Sequence, residues 1–201
     1  MIIFKILAIC GMLSPIIYTF AWILGGIIRT DYNHIQNDVS SLFAVGAHKK
    51  WLFQSLFITG SALLFIFSFG LIWGIEGIES IVGPILFLIG AFIGLLVPIF
   101  FPLDEDGEMV TLRGKLHLIL IIIAGIFCMV AMVLLWLHTK ILTGWVGFAW
   151  FSLVSIPIVL ILMVLSGIFG GGPYMGLVER FMVSYYQIYY FVIALMLFLN
   201  V

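Results

Sequence analysis

Long apolar runs alternate with short polar connections along the whole chain. Six of these runs are about twenty residues or longer, which is what an α-helix needs to cross roughly 30 Å of hydrocarbon. They cover residues 4–28, 51–73, 81–101, 116–137, 145–169 and 181–199. Continuous apolar runs without alternating polar residues favour helices over a barrel. The pattern therefore predicts an all-α, polytopic membrane protein, a bundle of six transmembrane helices forming one domain over residues 1–201.

Composition points in the same direction. Hydrophobic residues make up 65% of the chain and charged residues 8%, whereas soluble domains are about half apolar and a quarter charged. We therefore expect membrane lipids as partners. The formal net charge of -1 and the lack of a basic run argue against nucleic acid as a partner. Nothing in the sequence identifies a protein partner.

The first connection, residues 29–50, holds the densest polar chemistry. At helical spacing its apolar and polar side chains separate onto opposite faces. The apolar face holds Tyr32, Ile35, Val39, Leu42 and Phe43, and the polar face holds Asp31, His34, Asp38 and Ser41. This amphipathic pattern predicts a short interfacial helix after the first span.

The distribution of basic residues predicts the orientation. Six spans place both termini on one side and the first, third and fifth connections on the other. Six of the eight Lys and Arg residues lie in or beside those three connections, and the opposite side has only Lys5 and Lys140. By the positive-inside rule, the three connections are cytoplasmic and both termini are outside the cell membrane.

Three side chains in this region are candidate metal ligands. His34 and Asp38 are four residues apart, so a helix would present both on one face, and His117 opens the fourth span. Together they could bind a divalent cation such as zinc, with Asp104 or Ser41 as a catalytic group beside a metal-bound water. The simpler interpretation, which we favour, is that His34 and Asp38 hydrogen-bond each other and loop carbonyls satisfy His117. No established metal motif occurs.

The start of the last span suggests a binding role. Arg180 has a planar guanidinium suited to a lipid phosphate, and Glu179 and Asn37 are further candidate ligand-binding residues. The alternative, which we favour, is that Arg180 pairs with Asp104 or Asp106 and pins the connections together. The same span contains a tyrosine cluster that is typical of an interfacial aromatic belt. This cluster consists of Tyr185, Tyr186, Tyr189 and Tyr190.

Several short motifs occur between the spans in a fixed order. Tyr32-Asn33-His34, Val39-Ser40-Ser41-Leu42 and Ala44-Val45-Gly46-Ala47 lie in the first connection; Phe101-Pro102-Leu103-Asp104 precedes His117, and Gly176-Leu177-Val178-Glu179-Arg180 precedes the last span. This arrangement resembles the family catalogued as domain of unknown function 998, over essentially the whole chain. The resemblance implies a small six-helix membrane protein of bacteria or archaea with no established activity. Ser41 stands where the resemblance leads us to expect an acidic residue.

Three functions remain open at this point. We favour binding of a lipid or small ligand without catalysis, or a structural or sensory role, at the face formed by the first, third and fifth connections. The first alternative is a metal-dependent hydrolase or transferase acting on a membrane lipid, which requires the candidate ligands to converge. The second is a small transporter, which requires a continuous polar cavity lined by Gln54, Thr59 and Ser68.

Overall fold

Six long helices make up the protein. The computed structural model describes residues 2–78 and 80–201, with the side chain of Asp106 left aside. The helices are Ile2–Ile28 (α1), Lys50–Gly74 (α2), Val82–Phe100 (α3), Leu112–Thr139 (α4), Val146–Ile168 (α5) and Met175–Asn200 (α6). Each is long and apolar enough to cross a membrane. No strand occurs in the described residues, so the predicted six-span all-α bundle is confirmed.

The helices form a ring in chain order. Each packs against the next, and α6 closes the ring by packing against α1. The first, third and fifth connections meet at one end of the bundle, which we call the connection end; the opposite end, with both chain termini, is the terminal end. The backbone N–H of Val45 donates to Leu103 O at 3.0 Å, and that of Leu177 donates to Ile35 O at 3.0 Å. The first bond joins the first and third connections, and the second joins the first connection to the start of α6.

The first connection is only partly helical. A 3-10 helix covers Ser40–Phe43, and before it the N–H of Asn37 donates to Asn33 O in a turn. His34 and Asp38 therefore do not share one continuous helical face. The apolar pattern is nonetheless largely borne out, because Tyr32, Val39, Leu42 and Phe43 are buried, whereas Ile35 is 45% exposed.

The terminal end is closely packed. Its core includes Phe67, Leu71 and Leu135, all fully buried. A Cβ at Gly70 or Gly74 would lie 3.0 or 2.9 Å from the methyl groups of Leu197. Because helices in a membrane associate through close van der Waals fit, these glycines let α2 and α6 approach each other.

Three of the four tyrosines of the α6 cluster are buried inside the bundle, so the predicted aromatic belt was wrong. Tyr186, Tyr189 and Tyr190 are at most 9% exposed. Tyr189 OH lies 3.0 Å from the hydroxyl of Ser152, and Tyr186 OH donates to a backbone carbonyl of α4 at 3.1 Å. The correction has a physical reason: these hydroxyls have partners on neighbouring helices and do not need water at the interface.

Candidate functional site

Arg180 fastens the start of α6 to the first connection. Its Nη1 donates to the carbonyl oxygens of His34 (2.6 Å), Asn37 (2.8 Å) and Gly176 (2.7 Å), and its Nη2 donates to the hydroxyl of Tyr32. The residue is only 7% exposed. Hydrogen bonds from a buried cation are stronger than those between neutral groups, and here they replace the hydrogen bonds that the guanidinium would make with water. The guanidinium therefore organises the connection rather than facing solvent.

The favoured ion pair between Arg180 and Asp104 is not formed. Among the described residues the ion pairs join Arg29 to Asp31 and Arg113 to Asp104. Asp106, the other partner we considered, lies outside the described side chains. The correction follows from the path of the first connection, whose backbone carbonyls reach the guanidinium and occupy its donors.

Gly176 permits this close approach. A Cβ at position 176 would overlap the carbonyl oxygen of Asn37 and come within 2.7 Å of Arg180 Nη1. Any larger residue would push α6 away from the connection. The Asn37 side chain bonds within the first connection, because its Oδ1 accepts from the N–H of Asn33 at 2.8 Å.

His34 packs against α1. Its ring centroid lies 5.5 Å from that of Trp22 and 5.4 Å from that of Tyr32, and its Nε2 faces the Cα of Gly26. Burial, together with the positive charge of Arg180, lowers the pKa of His34 below its ordinary value. The imidazole acts here as a packed aromatic group.

Two carboxyl groups meet where the first connection touches α6. Asp38 Oδ1 accepts from the N–H of Ser41 at 2.9 Å, and Ser41 Oγ donates to Asp38 O at 2.8 Å. The next residue, Val39, donates its N–H to Glu179 Oε2 at 2.8 Å. Burial raises the pKa of Asp38, although the Ser41 bonds and Arg180 act in the opposite direction. Asp38 is thus bonded to Ser41, and not to His34 as the simpler interpretation supposed.

Asp104 holds the start of α4. Its oxygens accept from the N–H of Thr111 (2.7 Å), the hydroxyl of Thr111 (2.7 Å) and the guanidinium of Arg113 (2.6 Å). The Thr111 hydroxyl and N–H, followed by Arg113, lower the pKa of Asp104 to about 2. A general base works best with a pKa near the working pH. This geometry therefore gives Asp104 a structural role, in which it holds the N-cap residue Thr111, and provides no support for a catalytic role.

His117 is buried beneath the third connection. It is 2% exposed, and its Nδ1 lies 2.5 Å from the carbonyl oxygen of Phe101. The expectation that a loop carbonyl satisfies His117 is confirmed for this nitrogen. Its other ring nitrogen, Nε2, is buried without a partner among the described residues.

The three candidate metal ligands are not brought together. Within residues 2–78 and 80–201, no three His, Cys, Asp or Glu side chains are placed to hold one metal ion. His34 faces α1, Asp38 faces Ser41, and His117 faces the end of α3. A zinc site at these residues stays a prediction without a ligand set.

Each of the three candidate transport residues donates a hydrogen bond to a backbone carbonyl. Gln54 Nε2 donates to Pro98 O at 2.6 Å, Thr59 donates to the carbonyl of Ser55, and Ser68 donates to that of Phe65. None of the three lines the internal cavity formed by the described residues. They therefore do not form the continuous polar path that a transporter needs.

That cavity is the main feature that sequence reasoning missed. It has a volume of about 350 Å³ and is lined by side chains from all six helices, most of them apolar. Ser40 and Phe43 of the first connection also line it, so the connection covers part of it. Helix α6 contributes one face at three- and four-residue spacing. This face consists of Glu179, Met182, Val183, Tyr186, Gln187 and Tyr190.

One signal in the sequence could have found this cavity. Glu179 and Gln187 recur two turns apart on a helical face that is otherwise apolar or aromatic. Polar groups on a buried face of a membrane helix usually line a cavity or bind each other. Of the three candidate ligand-binding residues, Glu179 lines the cavity, whereas Arg180 and Asn37 hold its cover in place.

A family comparison agrees with the order of motifs. The family described as "Protein of unknown function (DUF998)" matches residues 12–196. The chain belongs to this family. Comparison with curated proteins and with solved structures gave no match. Every candidate residue discussed above falls within the DUF998 match, so this is a multi-pass membrane protein of that family, and its activity has to be argued from the site.

Proposed function

We propose that the protein binds a lipid or another small apolar ligand in the cavity inside its helical bundle. The observation that carries this proposal is the cavity of about 350 Å³ with its largely apolar walls. Ligand sites in proteins are typically pockets of about 300–1,000 Å³ with apolar walls and a few polar groups. The volume lies at the lower end of that range, which favours a compact or single-chain ligand.

Two glycines leave open space in the wall of the cavity. Gly94 and Gly167 both line it, and a Cβ at either position would have nothing within 4 Å. We propose that a lipid-soluble ligand enters the cavity beside these glycines.

Binding is favoured over catalysis because of where the candidate catalytic groups lie. Asp104 and Ser41 are bonded within turns, and among the described residues neither lines the cavity. A reaction in the cavity would therefore lack both of them. The proposed role needs only the shape and polarity of the walls.

The test fills the cavity. Gly94→Leu would project a side chain into the open space beside α3. Gly147→Leu is the matched control, because it also has nothing within 4 Å but does not line the cavity. With the protein in nanodiscs, we expect Gly94→Leu to weaken binding of a fluorescent single-chain lipid analogue by about tenfold or more, with no change in the control. Equal binding by both variants would overturn the proposal.

The orientation with the connection end in the cytoplasm is a second part of this proposal. It rests on the six basic residues in or beside the three connections, against two at the terminal end. Fusion of a phosphatase that is active only outside the cytoplasm to Val201 tests it. We expect an active fusion, and an inactive one would reverse the orientation.

A further inference from the structure

Two side-chain oxygens at the cavity have no hydrogen-bond donor in the part of the chain that the structure describes. Glu179 Oε2 accepts from Val39 N–H, whereas no donor among the described residues bonds to its Oε1. Gln187 Oε1 is buried without a partner in the same part of the chain. The carbonyl of Gly94 loses its usual helical donor, because Pro98 has no N–H. Acceptors of this kind call for a ligand that donates hydrogen bonds.

Two carboxyl groups and one guanidinium lie beside the cavity. Asp38 and Arg180 are the charged groups near Glu179, and the hydroxyls of Tyr18 and Tyr32 complete the titratable surroundings. Two carboxyl groups thus share one guanidinium, whose hydrogen bonds go to carbonyls and to Tyr32. Neither carboxyl forms an ion pair with it among the described residues. A buried carboxylate is costly unless a cation compensates it.

The spacing on α6 separates a polar end from an apolar body. Glu179 lies at the connection end of the helix, and Gln187 lies eight residues further along, which is about 12 Å at 1.5 Å per residue. Met182, Val183 and Tyr186 line the cavity between them. A ligand whose polar group reaches Glu179 would therefore place an apolar chain along this face.

From these observations we infer that the cavity takes a single-chain amphiphile with a primary ammonium headgroup, and that Glu179 receives the ammonium. This inference rests on the proposed ligand-binding function and names the chemical class of ligand for the same cavity. The ammonium supplies hydrogen bonds to the unpartnered oxygens, and its positive charge allows Glu179 to bind it as a carboxylate. The chain occupies the apolar part of the walls.

The first experiment compares headgroups on one chain. Dodecylamine, dodecanol and dodecanoic acid compete with the fluorescent lipid analogue for the unmodified protein in phosphatidylcholine nanodiscs at neutral pH. We expect the amine to bind about tenfold or more tightly than the alcohol, which is the contribution of a charge-assisted hydrogen bond. The acid should be the weakest, because its carboxylate would face Glu179.

The second experiment removes the charge of the receiving group. Glu179→Gln keeps an oxygen that can accept from Val39 N–H, so the cover of the cavity should stay in place. We expect the roughly tenfold advantage of the amine over the alcohol to fall to about one in this variant. Glu108→Gln is the control: it removes an exposed carboxylate at the same end of the bundle, and the amine should keep its advantage.

The outcomes separate the two proposals. If no chain competes, or if Gly94→Leu leaves all three competitors unaffected, ligand binding in the cavity fails. If the chains bind in a Gly94-sensitive way but the amine is no tighter than the alcohol, the cavity site stands and the ammonium inference is overturned. Tightest binding of the acid would also overturn it. Should Glu179→Gln fail to fold, the competition series on the unmodified protein decides.

Discussion

The two ends of the bundle are held together by different forces. At the terminal end, fully buried side chains such as Phe67, Leu71 and Leu135 interlock, and Gly70 and Gly74 bring α2 close to α6. At the connection end, the helices surround a cavity, and hydrogen bonds from buried polar groups close the structure above it. Apolar fit stabilises one end, and polar bonding stabilises the other.

The difference indicates that one end of the bundle provides stability and the other end holds the cavity. Close packing leaves no room for a ligand, and a cavity gives up the contacts that stabilise a membrane bundle. A fold that keeps a cavity at one end must gain its stability at the other end and fasten the open end by directional bonds. Substitutions at the two ends should therefore have different costs.

The largest effect is expected from Arg180→Met. The substitution removes donors from three carbonyl oxygens and the Tyr32 hydroxyl, and we expect a loss of about 4 kcal/mol in the free energy of unfolding. Denaturant unfolding in mixed micelles measures it. Lys140→Met is the control, because Lys140 is an exposed cation at the terminal end that lies 5.1 Å from the Trp136 ring. Equal costs for the two variants would contradict the comparison.

A pair of leucines on α2 tests the packing of the two ends directly. Leu71 is fully buried in the terminal-end core, whereas Leu64, two turns earlier, is 8% exposed and lines the cavity. We expect Leu71→Ala to cost about 3 kcal/mol and Leu64→Ala about 1 kcal/mol, because a side chain beside a cavity has fewer contacts to lose. The same unfolding assay measures both. If Leu64→Ala cost as much as Leu71→Ala, side chains beside the cavity would be packed as closely as those at the terminal end.

A pair of glycines tests the close approach at the connection end. Gly176 and Gly147 are each the second residue of a helix, so alanine changes helix propensity equally in both. A Cβ at 176 would overlap Asn37 O, whereas a Cβ at 147 would have nothing within 4 Å. We expect Gly176→Ala to cost about 2 kcal/mol and Gly147→Ala to be neutral or slightly stabilising. A neutral Gly176→Ala would show that α6 need not lie this close.

The sequence predicts the fold better than the site. Apolar runs locate all six helices, but the last helix begins at Met175, six residues before the predicted start at 181. Glu179 and Arg180 lie in its second turn, so hydropathy excludes the first six residues of the helix from the span. The tyrosines of α6 were misplaced for a related reason, since composition does not distinguish an interface from a bundle interior that offers partners.

The polar residues were recognised without their partners. Arg180, Asp104 and His117 were all singled out, yet Arg180 bonds to carbonyls and Asp104 bonds to Thr111 and Arg113. Which connection reaches which helix depends on the packing of the whole ring, and local spacing carries no information about it. The cavity is likewise a property of six helices together.

The smallest expected effect is a local response to acid at the third connection. The pKa of Asp104 is lowered from 3.8 to about 2, so its bonds to Thr111 are complete above pH 3.8 and are lost as the pH falls through about 2. Hydrogen exchange of residues 101–115, corrected for intrinsic rates, should therefore stay constant from neutral pH to about 4 and rise below about 3.

Two comparisons assign this response to the carboxylate. Asp104→Asn should exchange faster at neutral pH and lose the pH dependence, since the amide has no such titration. The fourth connection, residues 140–145, contains no carboxylate and should show no rise in the same samples. If the third connection opened already between neutral pH and 4, groups other than Asp104 would hold it. The polar bonding of the connection end would then depend on weaker acids, whereas the packed terminal end should remain insensitive to pH in either case.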